Sequence, residues 1–196
     1  LRGYNIPIAA FVGSQEKGTY GPWPVSEGLC TLEIHRDIPI DAQARHLFAT
    51  GLVDDVIVAN AYASEAELKA LSEINRDLLT FGLKLEEGVS EVEKEIIFNF
   101  KHHVRADMPE YMARSTMSRI AYADADIPVG NVAALKRGDV VVLNNEYGHY
   151  KGELHIILQD MPNNGAKNIV GRIPEYELAM LEYVVPNAKF AFSEVK

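Results

Sequence analysis

The chain has 196 residues, of which 47% are hydrophobic and 24% are charged, and its formal net charge at pH 7 is −9. This composition is typical of a globular protein with one large domain or two small ones. The acidic balance argues against a nucleic-acid partner, which needs a basic face, but it allows a local basic pocket. No apolar run approaches the roughly 20 residues that cross a bilayer, so no membrane partner is expected. The single cysteine, Cys30, favours a reducing compartment.

Residues 1–76 contain two strand–helix units in succession. Asp41 is a candidate N-cap for the first helix, and Ser64 with Glu67 predicts a capping box at the start of the second. The predicted elements are strands over 6–12 and 56–59 and helices over 41–50 and 64–75. Alternation of this kind predicts a parallel sheet. Because a (β/α)8 barrel needs about 250 residues, we expect most of its strands to precede Leu1, where the sequence begins without Met.

Residues 79–196 have the pattern of a small β-barrel or sandwich, so we place a domain boundary near 76–79. Residues 91–100 fit either a helix or a strand, and Pro174 predicts the first turn of a helix. The predicted strands are 79–85, 138–143, 154–158, 168–173 and 188–195. Asn-rich and Gly-rich turns separate several of them.

The stretch 28–39 places Glu33, His35 and Arg36 close together. Loops after strands are where α/β proteins build their sites. In an extended segment, Glu33 and His35 would face the same side and Arg36 would face away. The alternative is an ion pair in a solvated surface loop.

Cations are concentrated in residues 101–119, which include Arg105, Arg114 and Arg119. Guanidinium groups bind carboxylate or phosphate with two parallel hydrogen bonds, so this segment is a candidate anion site. The alternative is that these arginines pair with the glutamates at 86–95. Elsewhere, Asn60 follows a predicted strand, where it can serve a site or cap a loop.

The hairpin around Glu146 offers a third polar group, although a plain polar turn explains it equally well. The sequence lacks the HExxH, CxxC, GxSxG and GxGxxG motifs and a P-loop ending. Neither a metal nor a cofactor is therefore expected.

Six stretches, spread in order over nearly the whole chain, carry a family resemblance. They are TLEIHR (31–36), LFATGLVDDVIVAN (47–60), ARSTMSR (113–119), GDVVVLNNEY (138–147), YKGELHIILQDMPNNG (150–165) and NIVGRI (168–173). Together they resemble the C-terminal half of the bacterial 6-phospho-N-acetylmuramidases, formerly described as outer surface proteins of unknown function. The run GELHIILQDMPNNG is the most specific of the six. The chain departs from the family pattern at Cys30, where Pro is expected, and around Asn144.

The resemblance implies an α/β plus β fold in two parts. Residues 1–76 would be the last two βα units of a TIM barrel, and residues 79–196 a cyclophilin-like β-barrel, a label that describes shape and not prolyl isomerase activity. The implied activity is that of a cytoplasmic glycosidase, which hydrolyses the β-1,4 bond of MurNAc-6-phosphate–GlcNAc during peptidoglycan recycling. Its partner would be a small phosphorylated amino sugar, and the fragment alone is expected to be inactive.

Under this resemblance, Glu33 is expected to be a catalytic acid or electrostatic stabiliser that His35 positions or tunes. A second carboxylate would lie upstream of Leu1. The expected substrate-binding residues are Arg36, Asn60, Arg105, Arg114, Glu146 and Arg172.

Two alternatives to a glycosidase remain open at the sequence level. Residues 79–196 can form a non-catalytic module that binds a sugar phosphate or another anion. They can instead brace the barrel or form a homodimer contact.

Overall fold

The computed structural model describes residues 2–21, 23 and 28–195 of the chain. It divides into two compact units, Leu1–Asp77 and Leu78–Lys196, and each unit is described by itself. No helix in these described ranges is long and apolar enough to cross a membrane.

The first unit is built on two parallel strands, with Ala9 opposite Asp55 and Val12 opposite Val58. Its elements are strand β1 (Ala9–Val12), helix α1 (Ile40–Ala49), strand β2 (Asp55–Val58) and helix α2 (Glu65–Ser72). The predicted parallel pairing and both helices are therefore confirmed. One face of the strand pair packs on the helices through a core of Ala10, Val12, Ile40, Ala44 and Leu47.

The other face of this strand pair carries exposed apolar side chains. Phe11 and Ile57 are partners in the register, and each keeps nearly half of its surface exposed. Parallel sheets usually have both faces covered. Within this unit, the helices cover only one face of the β1–β2 pair.

The helix starts of the first unit confirm one capping prediction and correct the other. Ser64 and Glu67 form the predicted capping box, in which each side chain binds the other's backbone N–H. Asp41, by contrast, is not an N-cap. The N-cap lies two residues earlier, at Pro39, whose ring restricts φ, and helix α1 begins at Ile40. The Asp41 carboxylate instead pairs with Arg45, one helical turn on, at 2.9 Å.

The second unit is a seven-stranded sheet with helical segments. Its strands are β3 (Leu79–Leu85), β4 (His102–His103), β5 (Met112–Ser115), β6 (Asp139–Leu143), β7 (Leu154–Ile157), β8 (Lys167–Arg172) and β9 (Lys189–Glu194). They are ordered β4-β9-β3-β8-β6-β7-β5. All neighbours are antiparallel except β3 and β9, which are parallel.

The two edges of this sheet approach each other, which makes it nearly a closed barrel. The Arg105 N–H, just after β4, donates to the Arg114 carbonyl on β5 at 2.9 Å. A side-chain contact also joins these two edge strands, because His102 Nδ1 on β4 lies 2.9 Å from Ser115 Oγ on β5. His102 is a core residue that stacks on Phe190, and its burial lowers its pKa to about 4.

The helical segments of this unit resolve two open predictions. Residues 91–100 form a helix, α3 (Glu91–Asn99), with a capping box between Ser90 and Glu93. A short helix, α4 (Ser118–Ala121), follows β5. The segment after Pro174 is a 3-10 helix, Glu175–Tyr183, rather than an α-helix. There Glu177 is buried and accepts the backbone N–H of Gly82 at 2.7 Å.

Candidate functional site

A polar cleft of about 270 Å³ lies at the carboxyl ends of β1 and β2 in the first unit. Its described lining residues come from the segments that follow the two strands and from the turn that precedes α1. They are Gly13, Ser14, Gln15, Glu16, Thr19, Gly28, Leu29, Cys30, Arg36, Asp37 and Asn60. The ends of parallel strands are the usual place for sites in α/β proteins. Arg36 and Asn60, both predicted to bind substrate, share this cleft.

Asn60 also organises the loop that forms the cleft wall. Its Oδ1 accepts the Ser14 N–H at 2.7 Å, and its Nδ2 donates to the Ser14 carbonyl and to Thr19 Oγ1. Gln43, which is fully buried on α1, binds both backbone groups of Gly13 at 2.8 Å. Two side-chain amides therefore hold the loop after β1 by its backbone.

Glu67 is a third anchor of the same loop. Besides closing the capping box, its carboxylate accepts the Ser14 hydroxyl at 2.7 Å and the Gln15 N–H at 2.9 Å. Burial would raise the pKa of Glu67, but these hydrogen bonds and those from Ser64 outweigh burial and lower it. Glu67 thus remains a carboxylate that fixes the cleft wall.

The structure does not bring Glu33 and His35 together as predicted. They lie in a 3-10 helix, Glu33–His35, rather than in an extended segment, so successive side chains diverge by a third of a turn. The Glu33 side chain is 77% exposed and holds Arg36 through two hydrogen bonds of 2.5 and 2.6 Å. The hydrogen bond from Arg36 lowers the pKa of Glu33, which therefore stays ionised.

His35 is fully buried behind this turn. Its Nε2 lies 2.9 Å from Nδ1 of His46 on α1. Burial, together with the neighbouring His46, lowers the pKa of His35 to about 4, so the ring is neutral near pH 7. His35 ties the turn to the helix and does not contact Glu33 in these described contacts.

The second unit contains a pocket of about 390 Å³ on one face of its sheet. Arg114 on β5 is the register partner of His155 on β7, and Leu143 on β6 is the partner of Lys167 on β8. Because side chains alternate along strands, these positions face the same side. The described lining residues are Pro109, Met112, Arg114, Leu143, Tyr147, Tyr150, Glu153, His155, Met161 and Lys167.

Glu153 is the centre of a charged network in this pocket, and its side chain is completely buried. It accepts from Arg114 Nη2 at 2.8 Å, from Arg119 Nη1 at 2.7 Å and from His155 Nε2 at 3.0 Å. Burial alone would raise the pKa of Glu153, but the hydrogen bonds from His155 and Arg114 lower it below its usual value. Burial lowers the pKa of His155, which leaves its ring neutral.

The remaining predicted binding residues do not line this pocket. Arg105 is half exposed and pairs with Asp107 at 2.5 Å. Arg172 pairs with Glu86 at 3.2 Å and with Asp139 at 3.4 Å. Arg105 pairs with Asp107, and Arg114 and Arg119 pair with Glu153. The described ion pairs therefore do not join any arginine at 101–119 to a glutamate at 86–95, as the alternative interpretation expected.

Glu146 lies exposed in a 3-10 segment, Asn145–Tyr150, which connects β6 to β7. The hairpin predicted there is confirmed, since β6 and β7 pair antiparallel. Within the described ranges, no group of three or more His, Cys, Asp or Glu side chains is placed to hold a metal ion.

Sequence reasoning missed Gln43, Glu153, His155 and Lys167, and it recognised Glu67 only as a cap. The one available signal was the alternation of Glu153 and His155 in the run GELHIIL, which places two polar side chains on one face of an apolar strand. A polar pair in that position needs partners from neighbouring strands. Such partners cannot be identified without the sheet order.

Two family models match consecutive parts of the chain. The model described as 6-phospho-N-acetylmuramidase, N-terminal, matches residues 1–73, and the one described as 6-phospho-N-acetylmuramidase, C-terminal, matches residues 79–193. No curated protein matches the chain.

Two solved structures are similar to the chain over nearly its whole length. An uncharacterised protein of B. cereus is 48% identical with a TM-score of 0.93, and the match covers 98% of this chain and 55% of that one. A conserved Enterococcus faecalis protein of unknown function is 26% identical with a TM-score of 0.69, covering 99% and 51%. The chain thus spans about half the length of these structures.

Proposed function

The chain belongs to the 6-phospho-N-acetylmuramidase family, and from this premise we propose that it is part of a glycosidase. The proposed reaction is hydrolysis of the β-1,4 bond of MurNAc-6-phosphate–GlcNAc during peptidoglycan recycling in the bacterial cytoplasm. The observation that carries the proposal is that models of both parts of the family match the chain consecutively and in order.

For the architecture, we propose the last two βα units of a TIM barrel over residues 1–76 and a cyclophilin-like barrel over 79–196. The uncovered apolar face of Phe11 and Ile57 supports the first part. In a closed barrel, one face of every strand is covered by side chains from the other strands in the interior. The nearly closed order of seven strands supports the second part.

The chemistry proposed for the first unit centres on Glu33. Because Arg36 keeps its pKa low, Glu33 is suited to stabilise positive charge as a carboxylate and is poorly suited to donate a proton. Glycoside hydrolysis passes through an oxocarbenium-like transition state, which a nearby carboxylate stabilises. The buried His35 would act as a positioning residue, because it fixes the turn that carries Glu33 to α1.

The substrate-binding residues proposed in this unit are Arg36, as a direct contact, and Asn60, as a positioning residue, and both line the cleft. Arg36 would hold an anionic group of the sugar, and Asn60 would keep the loop after β1 in place. Because the family chemistry needs a second carboxylate or the substrate's own acetamido group, a partner carboxylate is proposed outside this chain.

The test is a hydrolysis assay on a longer protein that contains this chain, with release of GlcNAc as the readout. Glu33→Gln is expected to lower kcat by about 100-fold or more, the usual contribution of a charged catalytic group. Glu65→Gln is the matched control, because Glu65 is an exposed carboxylate of the same unit that lies on α2 and not in the turn with Arg36. Near-normal turnover of Glu33→Gln would exclude the assignment.

The chain alone is expected to show no turnover, because two of eight barrel strands cannot form a complete barrel mouth. The same assay on residues 1–196 checks this. Turnover equal to that of the longer protein would contradict the proposed barrel.

A further inference from the structure

The pocket of the second unit carries surplus positive charge. Arg114 and Lys167 line the pocket together with one carboxylate, Glu153, and a third cation, Arg119, binds that same carboxylate without lining the pocket. Burial lowers the pKa of His155, so its ring is neutral near pH 7. Three positive charges and one negative charge leave a surplus of two. The chain as a whole has a net charge of −9, so this surplus is a local feature of the pocket.

Lys167 is the least compensated of these cations. Only 5% of the residue is exposed, and no carboxylate in the described part of the chain lies within ion-pair distance of its Nζ. Nζ donates to Asn164 Oδ1 at 3.1 Å and lies 5.1 Å from the centre of the Tyr147 ring. An ammonium group has three donor hydrogens and is costly to bury without an anion. A bound anion would supply that charge.

His155 leaves a second polar group without a partner in the same pocket. Its Nε2 donates to Glu153, so Nδ1 of the neutral ring is an acceptor. Nδ1 is buried, and no donor in the described ranges reaches it. Both Lys167, which lacks an anion, and His155, whose Nδ1 lacks a donor, are therefore incompletely satisfied within one pocket lining.

The size and walls of the pocket favour a ligand larger than a free ion. Its volume of about 390 Å³ is within the range of small-molecule sites. Tyr147 and Tyr150 meet edge to face with ring centres 5.7 Å apart, and both line the pocket. Aromatic side chains with a few polar groups are the usual lining of a site for a small organic molecule.

We infer that this pocket binds a small sugar phosphate, with its phosphoryl group on Lys167 and Arg114 and its ring beside Tyr147. The inference rests on the proposed function for the sugar class. It concerns binding by the second unit alone, so it needs no glycosidic bond to be cleaved.

The experiment is calorimetric titration of the chain with glucose 6-phosphate, glucose and inorganic phosphate. Glucose 6-phosphate is expected to bind about 10-fold or more tightly than glucose, because each charge-assisted hydrogen bond contributes about a factor of ten. It is also expected to bind more tightly than inorganic phosphate. Equal affinity for glucose 6-phosphate and inorganic phosphate would overturn the sugar part, and no binding of either would overturn the whole inference.

Variants then assign the binding to this pocket. Lys167→Met, which keeps an unbranched apolar side chain but removes the ammonium group, should weaken glucose 6-phosphate binding about 10-fold or more. Lys189→Met is the control, because Lys189 is exposed on β9 and does not line the pocket. Arg114→Gln provides a second variant in case Lys167→Met does not fold, as judged by the amide NMR spectrum. Unchanged binding in a folded pocket variant would overturn the inference.

Failure of this inference is distinguishable from failure of the proposed function. Hydrolysis by the longer protein without binding of glucose 6-phosphate would overturn the pocket assignment alone. Binding that depends on Lys167, in a protein that does not hydrolyse MurNAc-6-phosphate–GlcNAc, would support the pocket and contradict the glycosidase.

Discussion

Replacing Glu153 by Gln should destabilise the second unit strongly, because within the described residues Glu153 is the one carboxylate that pairs with Arg114 and Arg119. The Arg114 and Arg119 side chains are 22% and 29% exposed, whereas Glu153 is 0% exposed. Breaking a buried ion pair by removing one partner costs about 3–5 kcal/mol. Since both guanidinium groups keep some contact with water, we expect a loss at the lower end, about 3 kcal/mol.

The control for this variant is Glu86→Gln, which breaks the more exposed pair with Arg172, whose side chain is 45% exposed. Ion pairs in water contribute little, so a change of less than about 1 kcal/mol is expected there. Both variants conserve size and remove one charge. The comparison therefore contrasts a buried carboxylate bound by two arginines with a more exposed one bound by a single arginine.

The assay is native-state hydrogen exchange of the β6 and β7 amides, because a chain with two compact units need not unfold in one step. These strands pair through Val140 opposite Ile156 and Val142 opposite Leu154. Protection of their amides reports the opening free energy of the second unit directly. Equal losses in the two variants, or a loss under about 1 kcal/mol for Glu153→Gln, would refute the view that Glu153 is the electrostatic centre of the pocket.

Three further predictions test other parts of the structure. The pKa of His102 is about 4 when the protein is folded and about 6.5 when it is unfolded. The stability that depends on a neutral His102 is therefore complete above pH 6.5, and about 3 kcal/mol of it is lost as the pH falls toward 4. An NMR titration in which His102 of the folded protein protonates near pH 6.5 would contradict this. Gly171→Ala would place a Cβ 2.8 Å from both Leu83 Cγ and the Lys84 carbonyl oxygen, so a loss of about 1–3 kcal/mol is expected in urea unfolding, against little change for an alanine at Gly3, where the space is open. Glu67→Gln should speed hydrogen exchange at the Gln15 backbone amide, because that N–H donates to the Glu67 carboxylate. Unchanged exchange would show that Asn60 and Gln43 suffice to hold the loop.

The sequence predicts elements well where periodicity and a capping motif agree. The strand over 79–85 is confirmed as Leu79–Leu85, and both parallel strands of the first unit lie within a few residues of the prediction. The helix after Ser64 follows from its capping box, which is a local interaction across three residues. The start of α1 could not be predicted in the same way, because Pro39 competes with Asp41 for the cap.

The turn at Glu33 shows why spacing is a weak guide outside regular elements. Side chains that are two residues apart lie on the same side of the backbone only in an extended strand. Here the backbone of residues 33–35 turns in a 3-10 helix, and His35 packs against His46 on α1. That tertiary contact buries one side chain and leaves its neighbour in water. Nothing in the local sequence specifies it.

The pocket of the second unit is beyond sequence reasoning for a related reason. Arg114, Glu153 and Lys167 span 53 positions of the chain and come together only through the strand order β5-β7-β6-β8. The sequence does show an acidic residue and a histidine alternating in GELHIIL. A buried carboxylate needs hydrogen-bond donors, which are often cations, so the alternation indicates polar or basic partners on the neighbouring strands. Arg114 on β5 meets that requirement, whereas Lys167 on β8 has no carboxylate partner among the described residues.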